Sequence, residues 1–185
     1  TVLTESVPVG ELAADSVMGT DEVESRLDAA REQLFEARSA RARPPRDEKI
    51  LAGWNGLMIS ALAEGSLVLE SSHVELAEDA LSSCRDRLCD EGERRLHRRF
   101  ERGEVGIPGY LEDHAFLGRG AFDTYQATGD VEHLQFALDL AREIRDSFYD
   151  EAAGTLYFTP TGGEELLARP QQLTDSSTPS SAGVA

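Results

Sequence analysis

The sequence contains a single lysine, Lys49, although acidic residues number 35 and Lys plus Arg together number 18. The formal net charge of −17 repels nucleic acid and anionic membrane surfaces, so we expect binding to neither. An acidic, lysine-poor surface is tolerated in a salt-rich cytoplasm, because ions there screen the repulsion between its charges. We therefore predict a halophilic protein, with an acidic mesophilic protein as the alternative.

Long apolar runs and cysteines are also scarce. No window approaches the roughly 18 apolar residues of a membrane-spanning helix. The N-terminus TVLTESVPVG lacks both a basic start and an apolar signal core, so a cytoplasmic protein is predicted. The two cysteines, Cys84 and Cys89, lie five positions apart in one predicted helix, which suits neither a disulfide nor a zinc knuckle. We predict reduced thiols, no metal and no other cofactor.

An internal repeat organises what the sequence does contain. Shifted by 60 positions, the segment from Leu57 aligns without a gap on the segment from Leu117. Repeats of this length indicate stacked supersecondary units that cannot bury their apolar faces alone. Identical residues recur at Leu57/Leu117, Ala61/Ala121, His73/His133, Ala77/Ala137, Asp79/Asp139, Arg85/Arg145, Asp86/Asp146, Asp90/Asp150 and Glu91/Glu151.

Each repeat predicts two antiparallel helices. Apolar residues at spacings of three and four place a stripe along one side of each second helix. We predict hairpin units over 51–91 and 111–151, an amphipathic helix over 21–38 before them, and the start of a third unit over 176–185. Two strand-like segments, RRLHRRF and GTLYFT, follow the two hairpins.

These elements predict an all-α fold of antiparallel helical hairpins with short β excursions between them. The 185 residues, 40% of them hydrophobic, suffice for one domain with a core. Because a third unit begins after two complete ones, we expect residues 1–185 to be a single fragment of a longer helical toroid. We also expect uncovered apolar helix faces to drive self-association of such a fragment.

Three blocks of the sequence, in this order, resemble signature blocks of the YyaL-like thioredoxin-domain-containing proteins. They are RPPRDEKILAGWNGLMISALAE, GYLEDHAFLGRGAFDTYQATGD and ARPQQLTDSSTPSSAGVA. The resemblance implies a partial (α/α)6 toroid, similar to those of six-hairpin glycosidases and N-acylglucosamine 2-epimerases. The thioredoxin-like part and any CxxC pair are missing from this sequence, so no redox role is implied for it.

In such a toroid the inner helices surround a pocket, and the segments that precede them supply its polar groups. The repeat places three of these segments at one rim, where they carry Asp47, Asp113 and Asp175. Carboxylates that share a concave site can divide acid and base roles, because burial and repulsion separate their pKa values. Glycoside hydrolysis uses such a pair. The alternative for Asp47 and Asp113 is helix N-capping.

Sugar epimerisation needs a proton-transfer base instead. His114 and His97 are the candidates, and a satisfied structural imidazole is the alternative for His114. The candidate substrate-binding residues include two aromatic side chains as stacking surfaces, and core packing is the alternative for the tryptophan. The substrate-binding set comprises Trp54, Asn55, Lys49, Tyr110 and Glu112.

An arginine cluster stands out in the acidic chain: Arg94, Arg95, Arg98, Arg99 and Arg102. Such a cluster can bind a carboxylate or phosphate of a ligand. We favour a solvated strand edge whose arginines pair with nearby acids.

Two functions follow from these observations. The first is a carbohydrate-active hydrolase or epimerase within carbohydrate metabolism, whose activity belongs to the full-length protein and whose ligand is a sugar. The second is a non-catalytic helical module that binds or interacts on behalf of a fused thioredoxin-like domain.

Overall fold

The computed structural model describes residues 6–69, 72–90, 95–163 and 167–185. The chain divides into two compact units, Thr1–Asp47 and Glu48–Ala185. Glu91 of the predicted repeat and Arg94 of the arginine cluster lie outside the described residues.

The first unit contains two helices, α1 (Val9–Ser16) and α2 (Thr20–Ser39). The second of these covers the stretch where the sequence pattern predicts a helix over 21–38. Ala13 and Val23 are buried, whereas Leu34 and Phe35 are exposed. The apolar stripe of α2 is therefore only partly covered.

The second unit is built from two helical hairpins. The first consists of α3 (Ala52–Ser66) and α4 (Ser72–Leu88). The second consists of α5 (Leu111–Thr128) and α6 (Val131–Glu143), which continues into a π-helical segment, Ile144–Phe148. A short helix, α7 (Ser181–Val184), packs on α5. The predicted all-α fold of antiparallel hairpins is confirmed.

The first helices of the two hairpins, α3 and α5, pack closely because small residues face each other. A Cβ atom at Gly56 would lie 2.4 Å from the backbone nitrogen of Leu117, and one at Gly120 would lie 2.7 Å from the carbonyl oxygen of Gly56. Side chains on α4 and α6 complete the core beside this contact. Its large buried members include Ile59, Leu81, Leu88, Leu117 and Leu140.

The β excursions are also confirmed. RRLHRRF contributes β2 (His97–Glu101), which pairs with β1 (Ile50–Leu51) on one side and β3 (Glu104–Pro108) on the other. GTLYFT contributes β5 (Thr155–Leu156), which pairs with β4 (Tyr149–Asp150). The predicted strand edge at the arginine cluster is wrong, because β2 is the central strand of its sheet.

None of the helices in the described stretches has both the length and the apolar character needed to cross a lipid bilayer.

Candidate functional site

Asp113 lies at the point where the first turns of α3 and α5 meet strand β2. Its Oδ1 accepts a hydrogen bond from the backbone N–H of Gly53 at 3.1 Å. Its Oδ2 accepts from the backbone N–H of Tyr110 at 2.9 Å and from Nη1 of Arg98 at 3.0 Å. The same Arg98 nitrogen donates to Oε1 of Glu112 at 2.6 Å. We call these four residues, Arg98, Tyr110, Glu112 and Asp113, the Asp113 junction.

The local sequence explains why a carboxylate stands here. The first N–H groups of a helix have no partner within the helix. Helix α3 begins after Leu51, whose side chain makes no capping hydrogen bond, so Gly53 needs an acceptor from elsewhere. Asp113 supplies it while also accepting from the N-cap residue of its own helix, Tyr110. The capping alternative for Asp113 therefore holds for both helices.

Burial is the largest single effect on the pKa values of both Asp113 and Arg98. It raises the pKa of Asp113, against the opposing effects of the Tyr110 N–H and the Arg98 guanidinium. Burial alone would lower the pKa of Arg98, but its hydrogen bond to Glu112 and the charge of Asp113 outweigh it, so that pKa is raised. Arg98 is thus a permanent cation between two carboxylates.

His114 follows Asp113 directly and is also buried. Its Nδ1 lies 2.8 Å from the carbonyl oxygen of Tyr110. Because a carbonyl only accepts, Nδ1 carries the proton and Nε2 holds a lone pair. Burial lowers the pKa of His114, so the imidazole is neutral at pH 7. Its ring packs against Phe148 in the π-helical segment, with centroids 5.0 Å apart.

Two cavities of about 300 Å³ each contact His114. One of them is polar, and Glu143, Ser147 and Thr161 contribute to its wall. Ser147 Oγ donates to Oε1 of Glu143 at 2.6 Å, which fixes that carboxylate beside the cavity. The π-helical segment forms part of this wall, and such segments occur frequently at functional sites.

The second histidine candidate, His97, lies on β2. Its Nε2 is 2.9 Å from Oδ2 of Asp90, so that nitrogen is already engaged. His114 makes its hydrogen bond through Nδ1, so of the two candidates only His114 keeps Nε2 without a hydrogen bond among the described residues.

The aromatic candidates have different surroundings. Tyr110 lies between the guanidinium of Arg98, at 5.2 Å from its ring, and the ring of Phe158, at 5.0 Å. Trp54 lies in the first turn of α3 and is 65% exposed, so core packing is wrong for it. With Leu57 and Met58, Trp54 lines a shallow surface cavity.

The remaining candidates lie in separate segments of the chain. Asn55 donates from Nδ2 to the carbonyl oxygen of Leu51 at 2.8 Å. Lys49 is exposed just before β1. Asp175 is exposed and accepts the backbone N–H of Ser180 at 2.8 Å, which orders the start of α7. Asp47 is exposed and is the last residue of the first unit.

The cysteines are free, as predicted. Burial raises the pKa of Cys84 to about 12 and that of Cys89 to about 11, so both thiols stay protonated at neutral pH. Within the described ranges, no group of three His, Cys, Asp or Glu residues is arranged to hold a metal ion.

Three polar residues of these contacts were not predicted from the sequence: Arg98, Arg119 and Asp123. Arg98 was named only as one member of the arginine cluster, and no hydrogen-bond acceptor was predicted for it. Arg119 and Asp123 were not singled out, although Asp123 is buried and accepts a hydrogen bond from Ser60 on α3 at 2.5 Å. The repeat could have indicated these contacts between α3 and α5. Gly53 and Asp113 are separated by 60 positions, the repeat length, and Ser60 and Asp123 by 63.

No family model matches the chain. Among curated proteins, the chain is similar to human spermatogenesis-associated protein 20, with 31% identity over 85% of this chain and 21% of that protein. The rat protein of the same name is 32% identical over 88% of this chain. An uncharacterized protein of Caenorhabditis elegans, B0495.5, is 27% identical over 100% of this chain and 26% of its own length. The chain thus spans about a fifth to a quarter of these relatives.

Solved structures with the same fold include sugar-active enzymes. Cellobiose 2-epimerase from Spirochaeta thermophila matches 65% of this chain and 32% of its own, with TM-score 0.57 and 19% identity. The Bacillus thermoamylovorans cellobiose 2-epimerase gives TM-score 0.59 and 16% identity over 72% of this chain. The GH76 α-mannanase of Bacteroides thetaiotaomicron gives TM-score 0.52 and 17% identity, also over 72%. The chain therefore has the hairpin architecture of (α/α)6 toroid proteins.

Proposed function

We propose that this chain contributes two hairpins to an (α/α)6 toroid that acts on carbohydrate, with His114 as a base in sugar epimerisation. The observation that carries this proposal is the state of the His114 ring. Its Nδ1–H is engaged by the Tyr110 carbonyl, while Nε2 makes no hydrogen bond among the described residues. The similarity in fold to two cellobiose 2-epimerases supports the choice of reaction.

The chemistry requires a base that is neutral near pH 7. Nε2 of His114 takes the proton from the carbon next to the sugar carbonyl, and the electron pair moves onto the carbonyl oxygen. A proton from water then bonds to the opposite face of that carbon as the electron pair returns from the oxygen, and His114 passes the abstracted proton to the resulting hydroxide. Because burial lowers the pKa of His114, the base form persists below pH 6.5, the ordinary value for histidine.

The geometry of the Asp113 junction supports glycoside hydrolysis less well than it supports epimerisation. Both oxygens of Asp113 already accept hydrogen bonds, and Glu112 shares the Arg98 cation. A glycosidase needs one carboxyl to protonate the leaving group and another to act on the sugar or on water. We therefore assign Asp113 a positioning role, in which it fixes the first turn of α5 and with it Tyr110 and His114.

Solvent isotope exchange tests the proposal. The full-length protein is incubated with cellobiose in deuterated water, and deuterium at the carbon next to the carbonyl is measured by NMR. His114→Asn keeps a donor near the Nδ1 position but has no base at Nε2, so exchange should fall by about 100-fold or more. His133→Asn is the matched control, because His133 is the repeat counterpart of His73 at the outer hairpin turn.

Two outcomes would contradict the proposal. One is the absence of exchange in the unmodified protein with cellobiose, glucose or mannobiose. The other is equal exchange in His114→Asn and His133→Asn.

The charge balance supports a setting for this activity. We propose that the protein works in the salt-rich cytoplasm of a halophile, since its net charge of −17 and single lysine suit high ionic strength. The ligand we propose is an uncharged sugar, with neither nucleic acid nor a membrane as partner.

The exposed face of α3 favours a second candidate function. Trp54 is 65% exposed and Met58 is 60% exposed, side by side on one helix. Apolar side chains grouped in this way mark interaction surfaces. The alternative is thus a non-catalytic module whose α3 face binds another protein surface, including that of a fused thioredoxin-like domain. Isotope exchange separates the two functions, because a binding module exchanges no sugar proton.

A further inference from the structure

A second polar cluster joins α3 and α5 about two turns beyond the Asp113 junction. Asp123 is buried, with 1% of its side chain exposed, and its Oδ2 accepts from Ser60 Oγ at 2.5 Å and from Arg119 Nε at 2.8 Å. Arg119 Nη2 donates to Oε1 of Glu64 at 3.2 Å. We call Ser60, Glu64, Arg119 and Asp123 the Arg119 cluster.

The Arg119 guanidinium is held in a fixed orientation, and some of its N–H donors make no hydrogen bond among the described residues. A guanidinium has five N–H donors, and the described contacts of Arg119 occupy one on Nε and one on Nη2. Half of the side chain is exposed. Two carboxylates therefore orient a planar donor group whose remaining N–H groups face solvent or a ligand.

The charge of the cluster selects the kind of oxygen that it binds. Arg119 contributes one positive charge and Asp123 and Glu64 two negative charges, so the cluster is net negative in a chain of net charge −17. A phosphate or carboxylate is repelled by this field. A neutral hydroxyl is not repelled, and it can accept from Nη1 and donate to a carboxylate.

The position of Arg119 connects the cluster to the proposed base. Arg119 and His114 line the same cavity of about 300 Å³ between α5 and α6. Its other walls are mostly apolar, with Phe122 and Leu134 among them. An apolar wall that carries a few polar groups is typical of sites for small neutral ligands.

We propose that Arg119, oriented by its cluster, is a subsite for a hydroxyl group of an uncharged saccharide bound in the cavity that Arg119 and His114 both line. This inference rests on the proposed carbohydrate function. The ligand is a neutral polyol, and Arg119 is its principal hydrogen-bond donor.

Calorimetric titration of the full-length protein with cellobiose tests the subsite, with glucuronate as the anionic probe. Arg119→Met should weaken cellobiose binding by about tenfold or more, because hydrogen bonds from a charged donor are lost. Arg119→Lys keeps the charge but loses the planar fork, and should also weaken binding. Arg142→Met is the matched control, since Arg142 is 53% exposed and pairs with Asp139 on α6.

Arg119→Met also leaves buried Asp123 without its cation and can reduce folding. Glu64→Gln avoids this problem because Glu64 is exposed, and we expect it to weaken cellobiose binding by about two- to threefold. The subsite is overturned if the folded Arg119→Lys and Glu64→Gln proteins both bind cellobiose as the unmodified protein does. It is also overturned if glucuronate binds more tightly than cellobiose, or if neither probe binds.

The subsite and the proposed epimerisation fail in different ways. If cellobiose binding depends on Arg119 but no deuterium exchange occurs, the subsite is supported and the enzymatic function is contradicted. If exchange depends on His114 but binding is unchanged in all Arg119 and Glu64 variants, the enzymatic function is supported and the subsite is contradicted.

Discussion

At the scale of single residues, Asp113 performs the work of two helix caps. Its carboxylate accepts from the first turn of α3 and from the N-cap of α5, and Arg98 balances its charge. A buried carboxylate without a cation is strongly unfavourable. The stability of both helix starts therefore depends on an arginine from strand β2.

Replacing Arg98 with methionine tests this dependence. We expect the free energy of unfolding to fall by about 3 kcal/mol, because Asp113 remains buried without its cation. Arg99→Met is the matched control on the next position of β2, where the partner is Glu101. Its more exposed pair should cost less than about 1 kcal/mol. Equal losses in urea denaturation would show that Asp113 does not depend on Arg98.

The residues of the site were only partly predictable from the sequence. Tyr110, Glu112, Asp113 and His114 are consecutive or nearly so, and the repeat identified their segment as the start of an inner helix. Arg98 reaches them through a hairpin of strands whose register a single sequence does not determine. The exposure of Trp54 was not predicted, because an aromatic residue at helical spacing suits a core equally well.

At the scale of elements, the contact between α3 and α5 depends on glycine. A Cβ atom at Gly56 would lie 2.4 Å from backbone atoms of Phe116 and Leu117, which cannot move aside as a side chain end can. This close approach also brings Ser60 within reach of Asp123. The same contact therefore positions the Asp113 junction and the Arg119 cluster.

Gly56→Ala should lower the free energy of unfolding by about 3 kcal/mol through this steric conflict. Gly65→Ala is the control on the same helix, because its nearest neighbour would be Leu69 Cδ1 at 4.0 Å. There alanine should stabilise the protein by about 0.5–1 kcal/mol, since it reduces the freedom of the unfolded chain. Chemical denaturation measures the free energy of unfolding of both variants. Similar stability of Gly56→Ala and Gly65→Ala would refute the proposed packing role of Gly56.

The hairpins themselves followed from apolar periodicity and the repeat. The helix boundaries were not predicted residue by residue, and Trp54 and Asn55 lie in the first turn of α3. The π-helical segment and the central position of β2 had no local signal. Both depend on contacts between distant segments, which propensity and periodicity do not encode.

At the scale of the whole molecule, the excess of acidic residues is the main determinant of how stability depends on salt. A net charge of −17 produces repulsion that salt screens over a Debye length of about 10 Å at 0.1 M and about 3 Å at 1 M. We expect the melting temperature to rise by several degrees between low and molar KCl. A melting temperature that is unchanged or lower in molar KCl would exclude the halophilic adaptation.

The exposed apolar face of α3 predicts self-association of this chain. Sedimentation velocity should show a dimer or a larger species, and Trp54→Glu with Met58→Glu should shift it toward the monomer. Leu76→Glu, at another exposed leucine on α4, is the control and should leave the sedimentation unchanged. A monomer at all concentrations would contradict the prediction.

Nitrogen-15 NMR of the His114 imidazole tests the assignment of this residue as the base. We predict a neutral ring with the proton on Nδ1 at pH 7, and half-protonation below pH 6.5 because burial lowers the pKa. His114→Asn assigns the signal, and cellobiose should perturb the Nε2 resonance. A proton on Nε2, or a charged imidazolium at pH 7, would contradict a role for His114 as the base.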